Sequence, residues 1–518
     1  MKKAVVRKNS YYDSVFLMSI GASVKKMDGV SEAVVAMGTA MNLDLLRDMQ
    51  FATPELAEAT ANDLIVAIDA ANDQAVSAAE AEVETLLSKK ADGGAGATWR
   101  PNSTAAALDA FPDANLVVIS LPGQYAAREA HRALAAGRHV MMFSDNVSLD
   151  QEIVLKRFAR ERGLLMMGPD CGTAVINGTP LCFANVVPRG SIGLVSASGT
   201  GLQEVTSLIA RAGGGVSQAI GTGGRDLKTE AVGGSTTLTA IEALAADAAT
   251  SVIVVISKPP APSVADKVIA ALKAAGKPAV VHLLGYRPDA DRDGSVRFTT
   301  NLEETALAAV AIEAGVDSAT VAPVDSDLDA IAARETTAVA ATQRYVRGYF
   351  TGGTLADEAL FHLQDALGGV YSLAGADRQY ALADPHVSRE HTIVDLGEDV
   401  FTVGRPHPMI DPTIRTERMM REIDDSSVAV VLLDCVIGYG SHQDPAGAVA
   451  PAVQAMKAAA AERGGYLVAI ASVTGTEGDV QKLSAQRATL EAVGAIVMPS
   501  NYQAANLALR VMTALGSR

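Results

Sequence analysis

The chain has 518 residues and a formal net charge of −16; hydrophobic residues make up 49% of it and aromatics only 4%. Such a length implies about three or four domains, with cores of Ala, Val, Leu and Ile, the makeup of α/β layers in which buried parallel strands read as aliphatic runs. The acidic balance excludes nucleic acid, whose phosphates need clustered Lys and Arg, so an anionic substrate would require a locally basic pocket.

From the start, Met1-Lys2-Lys3 is basic, but Tyr11-Tyr12-Asp13 interrupts before Val15-Phe16-Leu17-Met18 can serve as a signal-peptide core. No apolar run approaches the ~18 residues needed to span a membrane. Cys171, Cys182 and Cys435 are too few and scattered for a disulfide framework or a zinc site. The expected location is the cytoplasm, with no metal and no membrane contact. Residues 1–96 read as a small α/β domain with aliphatic runs at Glu32–Met37 and Asp63–Ile68, closed by the turn-rich linker Ala91-Asp92-Gly93-Gly94-Ala95-Gly96. Residues 97–187 read as a Rossmann-like domain: strand Leu116–Ser120, a helix near 124–136, strand His139–Phe143, a helix near 149–162, then Leu164–Met167. Residues 188–320 repeat the theme with strands at Ser251–Ile256 and Ala279–Leu284, and repeated βα units imply doubly wound parallel sheets. An Ala/Asp/Thr-rich segment with Pro323, at about 318–345, reads as an interdomain connection. The last domain, 346–518, has strands at Val428–Leu433, Tyr466–Ile470 and Ala495–Met498.

Functional loops of open α/β sheets lie past the carboxyl ends of strands. The sharpest is Ile192 to Gly201, a strand running into Ser196-Ala197-Ser198-Gly199-Thr200-Gly201 and then a helix, with Thr200 and Gln203 at capping-box spacing. Backbone N–H groups and a positive helix end converge there, which suits a phosphate. Glu204 stands where the third glycine of a dinucleotide fingerprint belongs, which argues against NAD. The other candidate loops hold Pro169 and Asp170; Gly223, Gly224 and Arg225; Lys258; Gly352, Gly353 and Thr354; Arg405 and His407 between prolines; and Thr474, Gly475 and Thr476. Lys258 offers a point charge for a phosphate, and Arg225 or Arg405 a fork for a carboxylate. Each loop also has a plain reading as the glycine-rich turn that a tight βα connection requires. Cys171 sits in such a loop, but covalent cysteine chemistry is not expected.

At these loops the chain resembles the succinyl-CoA synthetase superfamily, in Gly168-Pro169-Asp170-Cys171, Ser196-Ala197-Ser198-Gly199-Thr200 and Gly221-Thr222-Gly223-Gly224. More closely, and over almost its whole length, it resembles the FdrA family. That likeness is carried by Met141–Val147, Met167–Thr173, Gly223–Leu227 and the run Val403-Gly404-Arg405-Pro406-His407-Pro408-Met409-Ile410-Asp411-Pro412-Thr413. The resemblance implies a CoA-binding Rossmann-like domain at 97–187 and two flavodoxin-type synthetase domains after it. It departs from the synthetases in two ways. Asp293-Gly294-Ser295-Val296-Arg297 falls where their phosphorylated histidine lies, and Lys258 falls where their supporting glutamate lies; their ATP-grasp module has no counterpart here. The FdrA likeness implies one subunit of an oxamate carbamoyltransferase of allantoin catabolism. It would interconvert carbamoyl phosphate plus oxamate with oxalurate plus phosphate, in an oligomer with two other subunits from neighbouring genes and without a required cofactor. In that reading Ser196–Gly201 binds phosphate, Lys258 steadies the leaving group, Arg225 or Arg405 grips oxamate and His407 handles the amide proton. The alternatives are an acyl-CoA synthetase or CoA-dependent acyltransferase component, for which CoA binds, and a non-catalytic scaffold.

Overall fold

The computed structural model describes residues 1–518 except 11, 13, 52, 93–100, 289, 318–326, 374–377, 404 and 517–518. The chain divides into two compact units, Met1–Pro101 with Asp399–His407, and Asn102–Glu398 with Pro408–Arg518. No helix among the described residues is long and apolar enough to cross a membrane.

The first unit is built on β1 (Lys2–Arg7), β2 (Val30–Met37) and β3 (Leu64–Ala70), antiparallel in the order β1-β3-β2. Central β3 is buried on both faces, which is why it reads as an unbroken aliphatic run. Its one side meets Leu17, Ile20 and Val83 of two helices and its other side Leu46, Phe51 and Leu56. Edge strand β1 went unread because Lys2, Lys3 and Arg7 hide its pattern, charges being usual on an edge. The linker glycines 93–96 lie outside the described residues; Ala91 and Asp92 end the helix Asp73–Asp92.

The second unit opens with β4 (Leu116–Ile119), β5 (His139–Met142) and β6 (Met166–Met167), parallel and in that order, with helices Gly123–Ala135 and Leu149–Arg160 between them. A hairpin follows, β7 (Thr173–Ile176) and β8 (Thr179–Cys182), turned by Asn177 and Gly178, both at positive φ (51° and 79°). An Asn-Gly pair favours the tight turn whose twist matches its strands. The hairpin pairs with the next sheet, Val175 opposite Ala219, so that sheet begins inside the span assigned above to 97–187.

The next sheet continues with β9 (Arg189–Ser196), β10 (Val216–Gly221), β11 (Val252–Ser257), β12 (Ala279–Leu283), β13 (Arg292–Asp293) and β14 (Val296–Phe298). Its parallel core runs β10-β9-β11-β12-β14. The last sheet holds β15 (Tyr345–Phe350), β16 (Thr392–Asp395), β17 (Val428–Val436), β18 (Val468–Thr474) and β19 (Ala495–Met498), in the order β16-β15-β17-β18-β19. Numbered within each sheet, both orders are the flavodoxin-like 2-1-3-4-5, so the chain carries the same doubly wound design twice. Of the connecting segment, 318–326, Pro323 included, lies outside the described residues; the rest contains a helix, Leu328–Thr336, whose Ala332 joins the core of the last domain.

The two designs join through matching glutamates. Glu204, sixth residue of helix Gly199–Arg211, accepts from Asn501 N (3.0 Å) at the start of helix Asn501–Gly516 and from the Thr474 hydroxyl. Glu358, sixth residue of helix Gly353–Leu367, accepts from Leu302 N (2.8 Å) at the start of helix Leu302–Glu313 and from Asn501 Nδ2 (2.8 Å). Each domain thus caps the final helix of the other. Burial pushes the Glu358 carboxyl up to about 7, Glu204 and Glu303 adding to it against the opposing hydrogen bonds. The folded state therefore holds this proton more tightly than the unfolded chain. Its contribution to stability is full below the ordinary 4.5 and fades as pH rises from about 4.5 to 7. Melting curves at pH 5 and pH 8 should show a fall for the native chain and a smaller one for Glu358→Gln; equal falls would remove Glu358 as the source.

Candidate functional site

Ligands of a 2-1-3-4-5 sheet bind beyond the carboxyl ends of its first and third strands, where the winding reverses. In both domains that point is a strand-to-helix turn, and the structure sets the two turns against each other. After β9, Ser196 Oγ donates to Ser198 O (2.7 Å) and accepts from Ser198 N (3.0 Å), which shapes the loop. Ser198 is the N-cap, its hydroxyl accepting from Gly201 N at 2.9 Å. The capping-box spacing of Thr200 and Gln203 is therefore not used. Helical geometry starts two residues earlier, at Gly199, and Gln203 turns to Asn185 instead. After β15, Thr351 N (2.9 Å) and Gly352 N (2.7 Å) donate to Asp434, a buried carboxylate of β17 that also pairs with fully buried Arg415 (3.2 Å).

The helix ends meet at Ser198 and Thr354, whose hydroxyls hydrogen-bond, and Thr354 N reaches Thr200 Oγ1 at 3.4 Å. Gly199, Thr200 and Gly353 are half-buried, and among the described residues their backbone N–H groups have no acceptor. Two positive helix ends and three such amides meet at one rim, an arrangement whose field favours an anion. Beside it, Lys258, just past the end of β11, pairs with Asp357 (3.1 Å) in the second turn of the Gly353 helix. Burial alone would depress the Lys258 ammonium, but Asp357, Asp395 and Glu398 outweigh it and hold it above the usual lysine range. Burial, with Glu398 and Asp357 and against Lys258, pushes the Asp395 carboxyl up to about 7. A Cβ added at Gly353 would stand 2.4 Å from Asp395 Oδ2 and 2.8 Å from Lys258 Nζ, so a side chain there would force one or both aside.

The other expected residues lie elsewhere. Gly223 (φ 84°) packs on the turn holding Pro169; a Cβ there would fall 2.2 Å from the Pro169 carbonyl oxygen. Gly224 faces Asp170 across the same join. Arg225 does not offer the open fork expected of it. Its Nε pairs with fully buried Glu152 (2.7 Å) and its NH2 donates to Val147 O (2.8 Å), because Glu152 also balances buried Lys156 and must be matched from both sides. Thr474 is bound to Glu204; Gly475 (φ 155°) lies against Ile437; and Thr476 donates its N–H to Asp479 (2.7 Å) and its hydroxyl to Val186 O (2.7 Å). These three close the domain joint. Arg405 and His407 belong to the first unit, and burial pushes the His407 imidazole down to about 4. Burial also pushes the Cys171 thiol up to about 12, which leaves it a thiol near neutrality. Arg415 and Asp395 are not marked by the sequence; the one signal for Asp395 is an acid ending an aliphatic run, Ile393-Val394-Asp395.

Comparison with known proteins bears on all three parts of the chain. Residues 1–101 match the AllF heavy metal-associated domain, 189–285 the CoA-binding domain and 349–511 the CoA-ligase family. The first of these implies a metal, which the residues present do not fit. Residues 1–101 contain neither Cys nor His, and among the described residues no group of three or more His, Cys, Asp or Glu is placed to hold an ion. Over 117 residues the chain is 32% identical to the mitochondrial succinate–CoA ligase [ADP-forming] subunit alpha-2 of Trichomonas vaginalis, covering 22% of this chain and 38% of that one. Among solved structures, ATP citrate lyase from Methanothrix soehngenii in complex with citrate and coenzyme A is 23% identical; the match covers 41% of this chain and 37% of that one. Its TM-score is 0.32. The uncharacterized protein YahF of Escherichia coli (strain K12) is 44% identical over 515 residues, 98% of both chains. With that identity along nearly its entire length, and with a CoA-binding and a CoA-ligase domain in tandem, the chain belongs to the FdrA-like family of YahF, within the succinyl-CoA synthetase superfamily.

Proposed function

We propose that the chain moves an acyl group between phosphate and coenzyme A, as the nucleotide-free half of an acyl-CoA synthetase reaction. The observation that carries this reading is the meeting of two helix N-termini at Ser198 and Thr354, one from the CoA-binding match and one from the CoA-ligase match. Bound CoA supplies the thiol that exchanges with phosphate. The amides of Gly199, Thr200 and Gly353 hold the phosphoryl oxygens and steady the charge left on phosphate, while Lys258 faces them from β11. Positioning and fixed dipoles do this without a covalent intermediate on the protein. Acyl phosphate reaches the site already activated, supplied by partner subunits.

Carbamoyl transfer to oxamate is a narrower version on the same phosphate rim. It needs a cation for the oxamate carboxylate, and Arg225 is taken by Glu152, which favours the CoA reading. The test gives the purified chain acetyl, succinyl or carbamoyl phosphate with CoA or with oxamate, and follows thioester, oxalurate and phosphate. Thioester with phosphate release is the expected result. Oxalurate without thioester would replace this reading by carbamoyl transfer. No product, together with no thermal stabilisation by phosphate or CoA, would leave a scaffold.

A further inference from the structure

The proposed reaction leaves one proton without an acceptor, since a thiol that joins an acyl carbon must shed its hydrogen. Lys258, positive and paired with Asp357, cannot take it. The Ser198 and Thr354 hydroxyls are spent on each other and on the Gly201 amide. Of the carboxylates described there, Asp357 is paired with Lys258 and Asp434 is held by Gly352 N and Arg415, whereas Asp395 stands beside Gly353. Asp395 ends β16, and its Oδ1 is fixed by Gly397 N at 2.8 Å. Its Oδ2 lies 2.4 Å, and Lys258 Nζ 2.8 Å, from the point where a Cβ would stand at Gly353, the residue whose N–H faces the rim. Asp395 is half-buried rather than sealed.

We infer that Asp395 is the proton-transfer residue of this site, accepting the thiol proton as the acyl group leaves phosphate and returning it in the reverse direction. This inference rests on the acyl-transfer reading above. The atoms balance. The sulfur forms a bond to the acyl carbon while its proton passes to Asp395 Oδ2. The carbon–oxygen bond to phosphate breaks with its electron pair on the phosphate oxygen, held by the amides of Gly199, Thr200 and Gly353. Asp395 then gives its proton to phosphate, which leaves as the monohydrogen form.

The groups facing Asp395 suit the task. Lys258 from β11 favours its charged form, while burial, Glu398 just beyond β16 and Asp357 on the Gly353 helix oppose it. The balance places the carboxyl at about 7, where it both takes and releases a proton near neutral pH. A Cβ at 353 would crowd both the Asp395 carboxylate and the Lys258 ammonium, so a substitution there would displace them.

Two measurements on the full chain test this. Calorimetry of inorganic phosphate binding near pH 7, in buffers of different ionisation heat, should show proton uptake that disappears in Asp395→Asn while binding itself persists. The rate of thioester formation from acyl phosphate and CoA should rise with pH through about 7 in the native chain. It should fall by about 10²- to 10⁴-fold in Asp395→Asn with that limb lost, and added formate should restore part of the rate in Asp395→Ala. Unchanged proton uptake and an unchanged pH profile in Asp395→Asn would overturn the inference. Absence of thioester from the native chain would overturn the acyl-CoA reading instead, and the proton count alone would then decide whether Asp395 serves the bound phosphate.

Discussion

Lys156→Met is expected to destabilise the second unit by about 3–5 kcal/mol, the range for removing one partner of a buried ion pair. Lys156 is among the largest fully buried side chains. Its ammonium pairs with Glu152 (2.9 Å) and Asp226 (2.7 Å) and donates to Thr222 O (3.0 Å). Methionine fills much the same volume, so the loss is electrostatic rather than a cavity. Asp226 would keep Thr236 N, Thr237 N and the Thr237 hydroxyl, but no cation would neutralise it, and Glu152 would keep only Arg225. This network pins helix Leu149–Arg160 to the Gly223-Gly224-Arg225-Asp226 turn, which explains a motif that the sequence presents as a ligand loop. Denaturant titration followed by circular dichroism reads the effect. A midpoint within error of the native value would show that the network is dispensable. Glu152→Leu added to Lys156→Met should recover part of the loss, because an apolar pair of similar volume leaves fewer unmatched charges.

The second large effect is expected at Asp434, where stability and turnover should fall together. Asp434→Ala strips the acceptor from Thr351 N, the Thr351 hydroxyl and Gly352 N, and leaves Arg415 fully buried without its counter-charge. A loss of about 3–5 kcal/mol follows from the orphaned guanidinium. The catalytic consequence is separate. The turn that aims Gly353 N at the rim hangs on this carboxylate, and small misplacements of positioning groups cost large factors in rate. Arg415→Met in the Asp434→Ala background should therefore restore the unfolding midpoint more than it restores thioester formation. Equal recovery of both would reduce Asp434 to a structural role, and intact phosphate binding in Asp434→Ala would show that the turn stands without it.

The strands at Val428, Ala279 and Ala495 were legible because a buried parallel strand must be aliphatic throughout, whatever packs on it. The Ser196–Gly201 and Gly352–Thr354 turns were legible as well, since a short strand, a small-residue loop and a helix are encoded by neighbours in sequence. The β7–β8 hairpin carries its signal in Asn177-Gly178, a pair suited to positive φ. Strand β1 had almost none, its charges masking the alternation.

By itself, then, the sequence determined the doubly wound class, the strand-to-helix turns and the family likeness. Each depends on free energies acting over a few residues: aliphatic burial, turn preference and helix capping. Only the tertiary structure decided that two turns 156 residues apart would meet at Ser198 and Thr354. It also decided that Arg225 would be taken by Glu152, and that Lys258 would share its surroundings with Asp395 rather than stand alone as a phosphate cation. Charge pairing falls steeply with distance and depends on what excludes water around it. Those distances come from the packing of one domain on another, which no stretch of neighbouring residues encodes.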